Sequence, residues 1–248
     1  MQAPSTPELS LVLPVFNEAA SLPTLLDELL PIVRGVTESY EIVFVDDGST
    51  DGGGAIMERL EREHPRVRLI RLDRNHGLSS ALHCGFRAAR GEVIATLDSD
   101  LQNDPRDLPR LIAEVRAGRA DMACGWRRDR HDPWLKRVSS RIANAWRNRR
   151  TGASIHDVTC PLKAFRSEVR EVFLPFDGMH RFLPTLAQMA GHRVVEIPVG
   201  HRPRVHGASK YGVWNRLFRG LSDLRAIRWM QRRRMTYRAT EVGGGDAA

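Results

Sequence analysis

The alternation of short apolar runs with amphipathic stretches is the feature that most constrains the fold of this chain. Four apolar runs in the first hundred residues predict strands, at residues 9–16, 41–45, 67–72 and 93–97. The stretches between them carry apolar residues at helical spacing, at residues 18–33, 54–63 and 79–89. Strands that alternate with helices predict an α/β fold with a doubly wound, mostly parallel sheet, and the strand ends of such a sheet form a ligand crevice.

The later part of the chain continues this pattern and is strongly basic near its end. Helices are predicted at residues 105–116 and 134–149 and strands at residues 121–125 and 193–199. Of the 38 Lys and Arg residues, 11 lie between residues 201 and 238, where Asp223 is the one acidic residue. A basic end on a balanced body indicates a local contact with phosphates or a membrane surface, whereas a nucleic-acid-binding protein is expected to be basic throughout.

The composition bounds the class of protein further. A chain of 248 residues with 42% hydrophobic content can fill one sizeable core. The three cysteines lie far apart and form no metal-ligand spacing, so a reducing, cytosolic setting is expected. No signal segment or spanning helix is predicted, and the chain is expected to be soluble or peripheral on a membrane.

Two carboxylates follow the fourth predicted strand. Asp98 and Asp100 flank Ser99, so strand alternation would put both side chains on one side, with Gln102 next by the same count. Mg²⁺ or Mn²⁺ held by one or two carboxylates leaves its other positions to water and phosphate oxygens. The spacing therefore indicates a site for a metal and a diphosphate, although an acidic turn at a strand end would contain the same residues.

A second acidic pair, Asp46 and Asp47, follows the second predicted strand. Adjacent like charges are unfavourable without a partner, so a ligand such as a ribose or a base is expected there. Helix capping is the alternative; it accounts for residues 49–51 but not for the acidic pair. Because the chain has neither a Gly-x-Gly-x-x-Gly turn after the first strand nor a Gly-Lys-Ser/Thr loop, side chains would have to hold a nucleotide.

These clusters occur in a fixed order that resembles family 2 glycosyltransferases. The matching motifs are Pro-Val-Phe-Asn-Glu at 14–18, Val-Asp-Asp-Gly-Ser-Thr-Asp at 45–51, Asn-His-Gly at 75–77 and Asp-Ser-Asp-Leu-Gln at 98–102. Residues 101–105, 157–160 and 204–211 are similar to the branch of that family that contains dolichol-phosphate mannose synthases and bacterial polyprenyl-phosphate glycosyltransferases. The resemblance spans about residues 9–230.

The resemblance implies a GT-A fold and inverting transfer from GDP-mannose or a UDP-sugar to a dolichyl or undecaprenyl phosphate. Asp98, Asp100 and Gln102 would bind Mg²⁺ or Mn²⁺, and Asp98, Asp100, Asp157 and Arg204 would form the catalytic set. The residues that would contact the nucleotide sugar are Pro14, Asn17, Glu18, Asp46, Asp47, Asn75, Gly77 and Asp98. Arg204, Ser209 and Lys210 would lie against phosphate groups.

The nature of the acceptor decides which further residues are needed. A lipid phosphate is already anionic, so arginines rather than a strong base are required, and Arg127, Arg137 and Arg141 are the candidates. A glycan hydroxyl would instead require a base, for which Asp157 is the first choice. A basic nucleic-acid-binding protein is a third and weaker alternative, because the chain has few aromatic residues for stacking on bases.

The expected organisation is a lead at 1–8, a GT-A catalytic domain at 9–212, a basic amphipathic helix at 213–238 and a disordered tail at 239–248. Within the domain, a nucleotide-sugar half covers about 9–125 and an acceptor half about 126–212. The helix indicates peripheral attachment to the cytoplasmic membrane face, directly or through a small membrane-anchoring partner protein. Packing of its apolar face on the domain is an equally good alternative.

Overall fold

The computed structural model describes residues 6–128, 155–200, Arg202 and eight residues between 223 and 233. Within these residues, seven strands form one mixed sheet. They are β1 (Leu9–Val15), β2 (Tyr40–Asp46), β3 (Val67–Arg71), β4 (Val93–Thr96), β5 (Met122–Trp126), β6 (Lys163–Arg166) and β7 (Val194–Pro198). Their order across the sheet is β3-β2-β1-β4-β6-β5-β7. All pairs are parallel except those of β6, which runs antiparallel to both β4 and β5.

Helices cover both faces of the sheet. They are α1 (Leu22–Val36), α2 (Gly53–Glu63), α3 (Leu78–Ala88), α4 (Leu108–Arg116) and α5 (Leu183–Met189), with 3-10 turns at Pro105–Asp107, Ser167–Val172 and Met179–Arg181. Helices α1, α2 and α4 bury their apolar faces in one core with alternate residues of the strands, such as Leu11 and Phe44. Each fully buried Leu or Phe side chain stabilises the fold by roughly 1.5–3 kcal/mol.

Helix α3 packs on the opposite face of the sheet, against β1 and β2. A Cβ atom at Gly85 would lie 2.4 Å from a methyl carbon of Val12, so the glycine allows this close approach. On the same face, the rings of Phe86 and Phe165 meet edge to face at a centroid distance of 5.1 Å. Helix α3 therefore packs against β6 as well as against β1 and β2. Its N-terminus lies at the edge of the sheet where β1 and β2 end.

The predicted strands at 9–16, 41–45, 67–72, 93–97, 121–125 and 193–199 are confirmed to within one residue, and so is the mostly parallel α/β fold. The start predicted for the first helix was wrong, because Asn17 takes a left-handed conformation and the chain turns before α1 begins at Leu22. The helix predicted from Pro105 opens as a 3-10 turn and becomes α-helical at Leu108. The helix predicted at 134–149 lies outside the described residues, as does most of the one predicted at 213–238.

Strand β6 was missed because Lys163–Arg166 is a four-residue segment that begins and ends with a cation, so it contains no apolar run. It pairs Lys163 with Thr96 of β4 and with Cys124 of β5. Since β6 is antiparallel, its first residue lies at the edge where β1, β2 and β4 end. The loops after these strands and the turn before β6 therefore converge on one edge of the sheet.

By residue contacts the chain divides into two compact units, Met1–Tyr211 and Gly212–Ala248. All of the elements above belong to the first unit. None of the helices in the described part of the chain is both long and apolar enough to cross a lipid bilayer.

Candidate active site

The loops that follow β1 and β2 are joined by hydrogen bonds. Asn17, with φ of 56°, accepts a hydrogen bond on Oδ1 from the Thr50 N–H at 2.7 Å, and its own N–H donates to Ser49 Oγ at 3.1 Å. The Ala19 N–H donates to Asp51 Oδ2 at 2.8 Å. Asparagine tolerates a left-handed conformation better than most residues. The polar residues of these two motifs therefore hold the two loops in one arrangement.

Capping explains residues 49–51 only in part. Asp51 Oδ1 does accept a hydrogen bond from the Gly53 N–H at the start of α2, at 2.9 Å. Ser49 and Thr50, by contrast, point their side chains toward Asn17. Gly52, which directly precedes the helix, has no side chain that could cap it.

The acidic pair after β2 is buried, with Asp46 1% and Asp47 3% exposed. Asp46 accepts hydrogen bonds from the Ser49 N–H at 2.8 Å and from Arg71 Nε at 3.0 Å. Asp47 accepts from two consecutive backbone N–H groups, those of His76 and Gly77, at 2.7 and 2.8 Å. Arg71 and three backbone N–H groups offset the charge of this pair, so the like charges alone do not require a ligand. That Asp46 and Asp47 contact the nucleotide sugar stays a prediction.

Asp47 thereby fixes the loop that contains Asn75 and Gly77. The contact requires a close approach of two backbones, since a Cβ atom at Gly48 would lie 2.6 Å from the carbonyl carbon of Arg74. Gly48 also has φ of 72°, a conformation that glycine adopts without strain. The structure brings together the motifs that follow β1, β2 and β3. Their contact with a nucleotide sugar stays a prediction.

The carboxylates after β4 lie in a tight turn at the same edge. Asp98 and Asp100 are half-buried, whereas Ser99 between them is buried and its hydroxyl donates to the Pro14 carbonyl at 2.9 Å. The Gln102 N–H donates to Asp100 Oδ1 at 3.1 Å. Because β4 ends at Thr96 and Leu101 has φ of 62°, strand alternation does not extend to Asp98, Asp100 or Gln102. That these three side chains share a metal ion therefore stays a prediction.

Asp98 and Asp100 suit a divalent cation that keeps most of its positions open. Both are hard oxygen ligands, and among the described residues no three His, Cys, Asp or Glu side chains form a group that could enclose a metal ion. Structural zinc sites have four protein ligands, whereas Mg²⁺ is usually held by one or two carboxylates together with substrate phosphates. The donor set at this turn fits the second case. A left-handed Leu101 beside it stores strain of roughly 1–3 kcal/mol, as active-site turns often do.

An ion pair between Arg127 and Asp157 lies next to this turn. The guanidinium donates from Nε to Asp157 Oδ2 at 2.8 Å and from Nη2 to Oδ1 at 3.0 Å, and the two side chains are 10% and 5% exposed. Burial alone would lower the pKa of Arg127, but the hydrogen bonds and charge of Asp157, with smaller contributions from Cys160 and Asp98, raise it. Arg127 and Asp157, predicted for separate roles, thus form one unit.

Further contacts hold the residues next to the Arg127–Asp157 pair in place. The ring of Trp126 stacks on His156 at a centroid distance of 4.5 Å. Glu196 on β7 accepts hydrogen bonds from the backbone N–H groups of both His156 and Asp157, each at 2.8 Å. The end of β5 and residues 156–157 are consequently tied to each other and to β7.

Arg202, which follows β7, binds the segment that comes after Asp98 and Asp100. Its N–H donates to the Gln102 carbonyl at 2.9 Å, and its guanidinium binds Glu28 at 2.8 Å and Asp104 at 3.0 Å. Arg106 and Arg202 hold the pKa of Asp104 down to about 2, against the opposing effect of burial. The other residues predicted to bind phosphate or acceptor, Arg137, Arg141, Arg204, Ser209 and Lys210, lie outside the described residues.

Two buried polar residues near the site, Lys163 and Ser79, belong to none of the motifs found in the sequence. Lys163 is 2% exposed, and its ammonium group donates to the Cys160 carbonyl. Ser79 Oγ lies 2.8 Å from Nδ1 of His180.

Residues 10–173 match the sequence profile of glycosyl transferase family 2. The chain is 38% identical over 231 residues to a dodecaprenyl-phosphate galacturonate synthase of Rhizobium johnstonii, covering 91% of this chain and 68% of the relative. It is 41% identical over 206 residues to an undecaprenyl-phosphate 4-deoxy-4-formamido-L-arabinose transferase of Edwardsiella ictaluri, covering 83% and 63%. The chain thus spans about two thirds of the length of these relatives.

Solved structures share the fold at lower identity. A glucosyl-3-phosphoglycerate synthase from Mycobacterium tuberculosis, solved with Mn²⁺, UDP and glucosyl-3-phosphoglycerate, superposes with a TM-score of 0.67 at 20% identity, covering 91% of this chain and 80% of the other. A mannosyltransferase from Pyrobaculum calidifontis, solved with GDP-mannose and Mn²⁺, gives 0.62 at 22% identity, covering 91% and 66%. Both likenesses are to glycosyltransferases of the GT-A fold.

Proposed function

Because the chain belongs to glycosyl transferase family 2, we propose that it transfers a sugar from a nucleotide diphosphate sugar to a polyprenyl phosphate at the cytoplasmic face of a membrane. The observation that carries the proposal is the turn with Asp98 and Asp100 at the end of β4, beside the buried Arg127–Asp157 pair. The two relatives, whose names specify dodecaprenyl and undecaprenyl phosphate, support this choice of acceptor.

The nucleoside is held by the loops after β1, β2 and β3. In this proposal Asn17, Asp46 and Asp47 act mainly by shaping the loops, because their side-chain oxygens already accept hydrogen bonds from neighbouring loops and from Arg71. Pro14 and Glu18 at the end of β1, with Asn75 and Gly77 after β3, then line the surface offered to the nucleoside. An ordered surface of this kind lowers the entropy cost of binding.

Asp98 and Asp100, together with Gln102, hold Mg²⁺ or Mn²⁺, the latter being the ion present in the two structures of similar fold. Such an ion offsets the charge that develops on the leaving diphosphate. The chain fixes the two carboxylates through the Ser99 hydroxyl, which binds the Pro14 carbonyl, and through the Gln102 N–H, which orients Asp100.

A polyprenyl phosphate needs cations rather than a base. Its phosphate oxygen is already charged and can attack the anomeric carbon directly, so the chain has only to offset the repulsion between two anions. Arg127, oriented by Asp157, supplies one such charge, and Arg137, Arg141, Arg204, Ser209 and Lys210 are proposed to supply further contacts. A base at Asp157 would suit a hydroxyl acceptor, but both of its oxygens bind Arg127.

The second unit supports peripheral membrane association. Its Trp229 is 60% exposed, and the guanidinium of Arg233 lies 5.3 Å from the centre of the Trp229 ring. Tryptophan and arginine are the residues that favour the interface of an anionic bilayer. A membrane-anchoring partner protein is the alternative route to the same location.

The proposal is tested by product analysis. The protein is incubated with Mn²⁺, a short polyprenyl phosphate and a panel of UDP- and GDP-sugars, and the lipids are examined by mass spectrometry. One donor is expected to give a lipid whose mass increases by one glycosyl residue. Sugar transfer to a glycan hydroxyl, with no glycosylated lipid from any donor, would contradict the proposal.

A further inference from the structure

Lys163 is a buried cation with few partners. It is 2% exposed, and the Cys160 carbonyl is the one hydrogen-bond acceptor that its ammonium group has among the described residues. No acidic side chain in residues 6–128 or 155–200 forms an ion pair with it. An ammonium group has three N–H donors, so two of them have no acceptor among the described residues. Burying a charge without a counter-charge is costly, so a position of this kind is usually functional.

His180 is held in one tautomer by Ser79, which lies in the first turn of the helix that covers the face of the sheet on which Lys163 lies. Ser79 Oγ accepts a hydrogen bond from the Gly178 N–H at 3.0 Å and lies 2.8 Å from His180 Nδ1. Ser79 is buried, and its hydroxyl proton has no other acceptor among the described residues. The hydroxyl therefore donates to Nδ1, which leaves the proton of a neutral imidazole on Nε2. No described residue accepts a hydrogen bond from that Nε2–H group.

The charged groups around His180 are cationic. Burial, with smaller contributions from the charges of Arg181 and Lys163, lowers the pKa of His180 to about 3. At neutral pH the imidazole is consequently an uncharged donor in a positive surrounding. A neutral N–H group and a buried ammonium group on the same side of the sheet both match an anionic oxygen atom.

The placement of the two residues points to the acceptor side of the site. Lys163 pairs with Thr96, two residues before Asp98, and lies on the face of the sheet that α3 covers. Ser79 lies in the first turn of α3, directly after the loop that Asp47 fixes. Strand β6 adjoins β4 on the side away from β1 and β2, whose loops contain the nucleotide motifs.

We infer that Lys163 and His180 together bind a phosphate oxygen of the substrate, and that this oxygen belongs to the polyprenyl phosphate. The assignment to the lipid rests on the proposed function, whereas binding of a phosphate oxygen does not. The phosphate oxygen could instead belong to the diphosphate of the sugar donor. Measuring the binding of each ligand alone distinguishes the two possibilities.

The test compares binding and stability in matched variants. Calorimetric titrations use farnesyl phosphate, farnesol as the uncharged control, and UDP and GDP with Mn²⁺. Lys163→Met is expected to weaken farnesyl phosphate binding by about 10- to 100-fold, as for loss of a charged hydrogen bond, and to leave farnesol and nucleotide binding unchanged. Its melting temperature is expected to equal or exceed that of the parent, since an apolar side chain replaces a buried charge. Arg170→Met, which removes a cation bonded to the Ala89 carbonyl, is the control and should leave all binding unchanged.

Two substitutions of His180 separate its two nitrogen atoms. His180→Gln places an amide N–H near the position of Nε2, whereas His180→Asn can retain only the acceptor for Ser79. Farnesyl phosphate binding is expected to fall by about tenfold in His180→Asn and less in His180→Gln. Equal losses of melting temperature in both variants with unchanged binding would show a purely structural histidine and overturn its part in the inference.

The remaining outcomes also decide the question. If Lys163→Met weakens UDP or GDP binding instead, the phosphate-binding role holds but the oxygen belongs to the donor. Unchanged binding of every ligand in Lys163→Met overturns the inference. A parent protein that binds farnesyl phosphate in a Lys163-dependent way but makes no glycosylated lipid contradicts the proposed function and leaves the inference intact.

Discussion

The two sides of the sheet edge differ in how their charged groups are satisfied. On the side of β1, β2 and β3, Asp46, Asp47 and Asp51 each accept a hydrogen bond from a backbone N–H group, which belongs to the same loop for Asp46 and to a neighbouring loop for Asp47 and Asp51. On the side of β6, Lys163 and His180 keep N–H groups that no described residue accepts. The carboxylates of the first side have hydrogen-bond partners within the chain, whereas the second side has N–H groups for which no described residue is an acceptor. Substitutions on the first side should therefore act through stability and loop order, and those on the second through binding.

The largest effect is expected at the turn between the two sides. Asp98→Asn should lower sugar transfer by about three orders of magnitude, because stabilisation of the leaving group by a metal contributes several kcal/mol. Asp104→Asn, four residues after Asp100, is the matched control, since Arg106 and Arg202 rather than a metal offset the charge of Asp104. Initial rates at saturating Mn²⁺ measure both, and equal losses in the two variants would contradict the metal assignment.

The Arg127–Asp157 pair is expected to have the next largest effect, on the free energy of unfolding. Arg127→Met or Asp157→Leu alone should cost about 3–5 kcal/mol, because each removes one member of a buried ion pair and leaves the opposite charge buried. The double variant should recover most of that loss, as both charges are then absent. Urea unfolding followed by circular dichroism gives the four values, and additive losses in the double variant would show that the two residues are not coupled.

Asp47 tests whether the first side acts through loop order. Asp47→Asn directs an amide N–H toward the His76 or Gly77 N–H, so the free energy of unfolding should fall by about 1–3 kcal/mol. Nucleotide affinity should fall with it. Asp73→Asn changes an exposed carboxylate in the same loop and should leave both quantities unchanged. Urea unfolding and calorimetry with UDP and Mn²⁺ provide the measurements, and normal stability with lost affinity would instead indicate direct contact between Asp47 and the nucleotide.

His180 makes the second side sensitive to acid. Its pKa is lowered from 6.5 to about 3 on folding, so the unfolded chain binds a proton that the folded chain does not. Stability from this group is present above pH 6.5 and falls as the pH drops below that value, by about 2 kcal/mol between pH 7 and pH 5. The pKa of Asp104, at about 2, contributes no change in this range. Urea unfolding at the two pH values should show a smaller difference in His180→Asn than in the parent, and an equal difference would exclude a neutral buried His180.

Much of the fold was accessible from the sequence because it depends on local patterns. The apolar runs that became β1, β2, β3 and β4 are each followed by turn residues, and their alternation with helices determines a parallel sheet. Strand β6 was not accessible, since Lys163–Arg166 has no apolar run and forms a strand only because β4 and β5 flank it.

The same distinction applies to the site. Asp98 and Asp100 were found because they are close in sequence and follow a strand. The partners of Asp46 and Asp47 were not, because Arg71 and the Gly77 N–H are 25 and 30 residues away in the chain. The tautomer of His180 depends on Ser79, 101 residues before it. The Arg71 contact follows from the pairing of β2 with β3 and the His180 contact from the packing of α3, and neither follows from a local pattern in the sequence.

One measurement tests directly whether the acceptor is a lipid phosphate that needs cations and no base. Transfer from the active donor is measured with a polyprenyl phosphate and with the corresponding polyprenol, which has a hydroxyl in place of the phosphate. The account predicts a glycosylated product with the phosphate and none with the alcohol. Comparable transfer to the alcohol would contradict it and would return Asp157 to the role of a base.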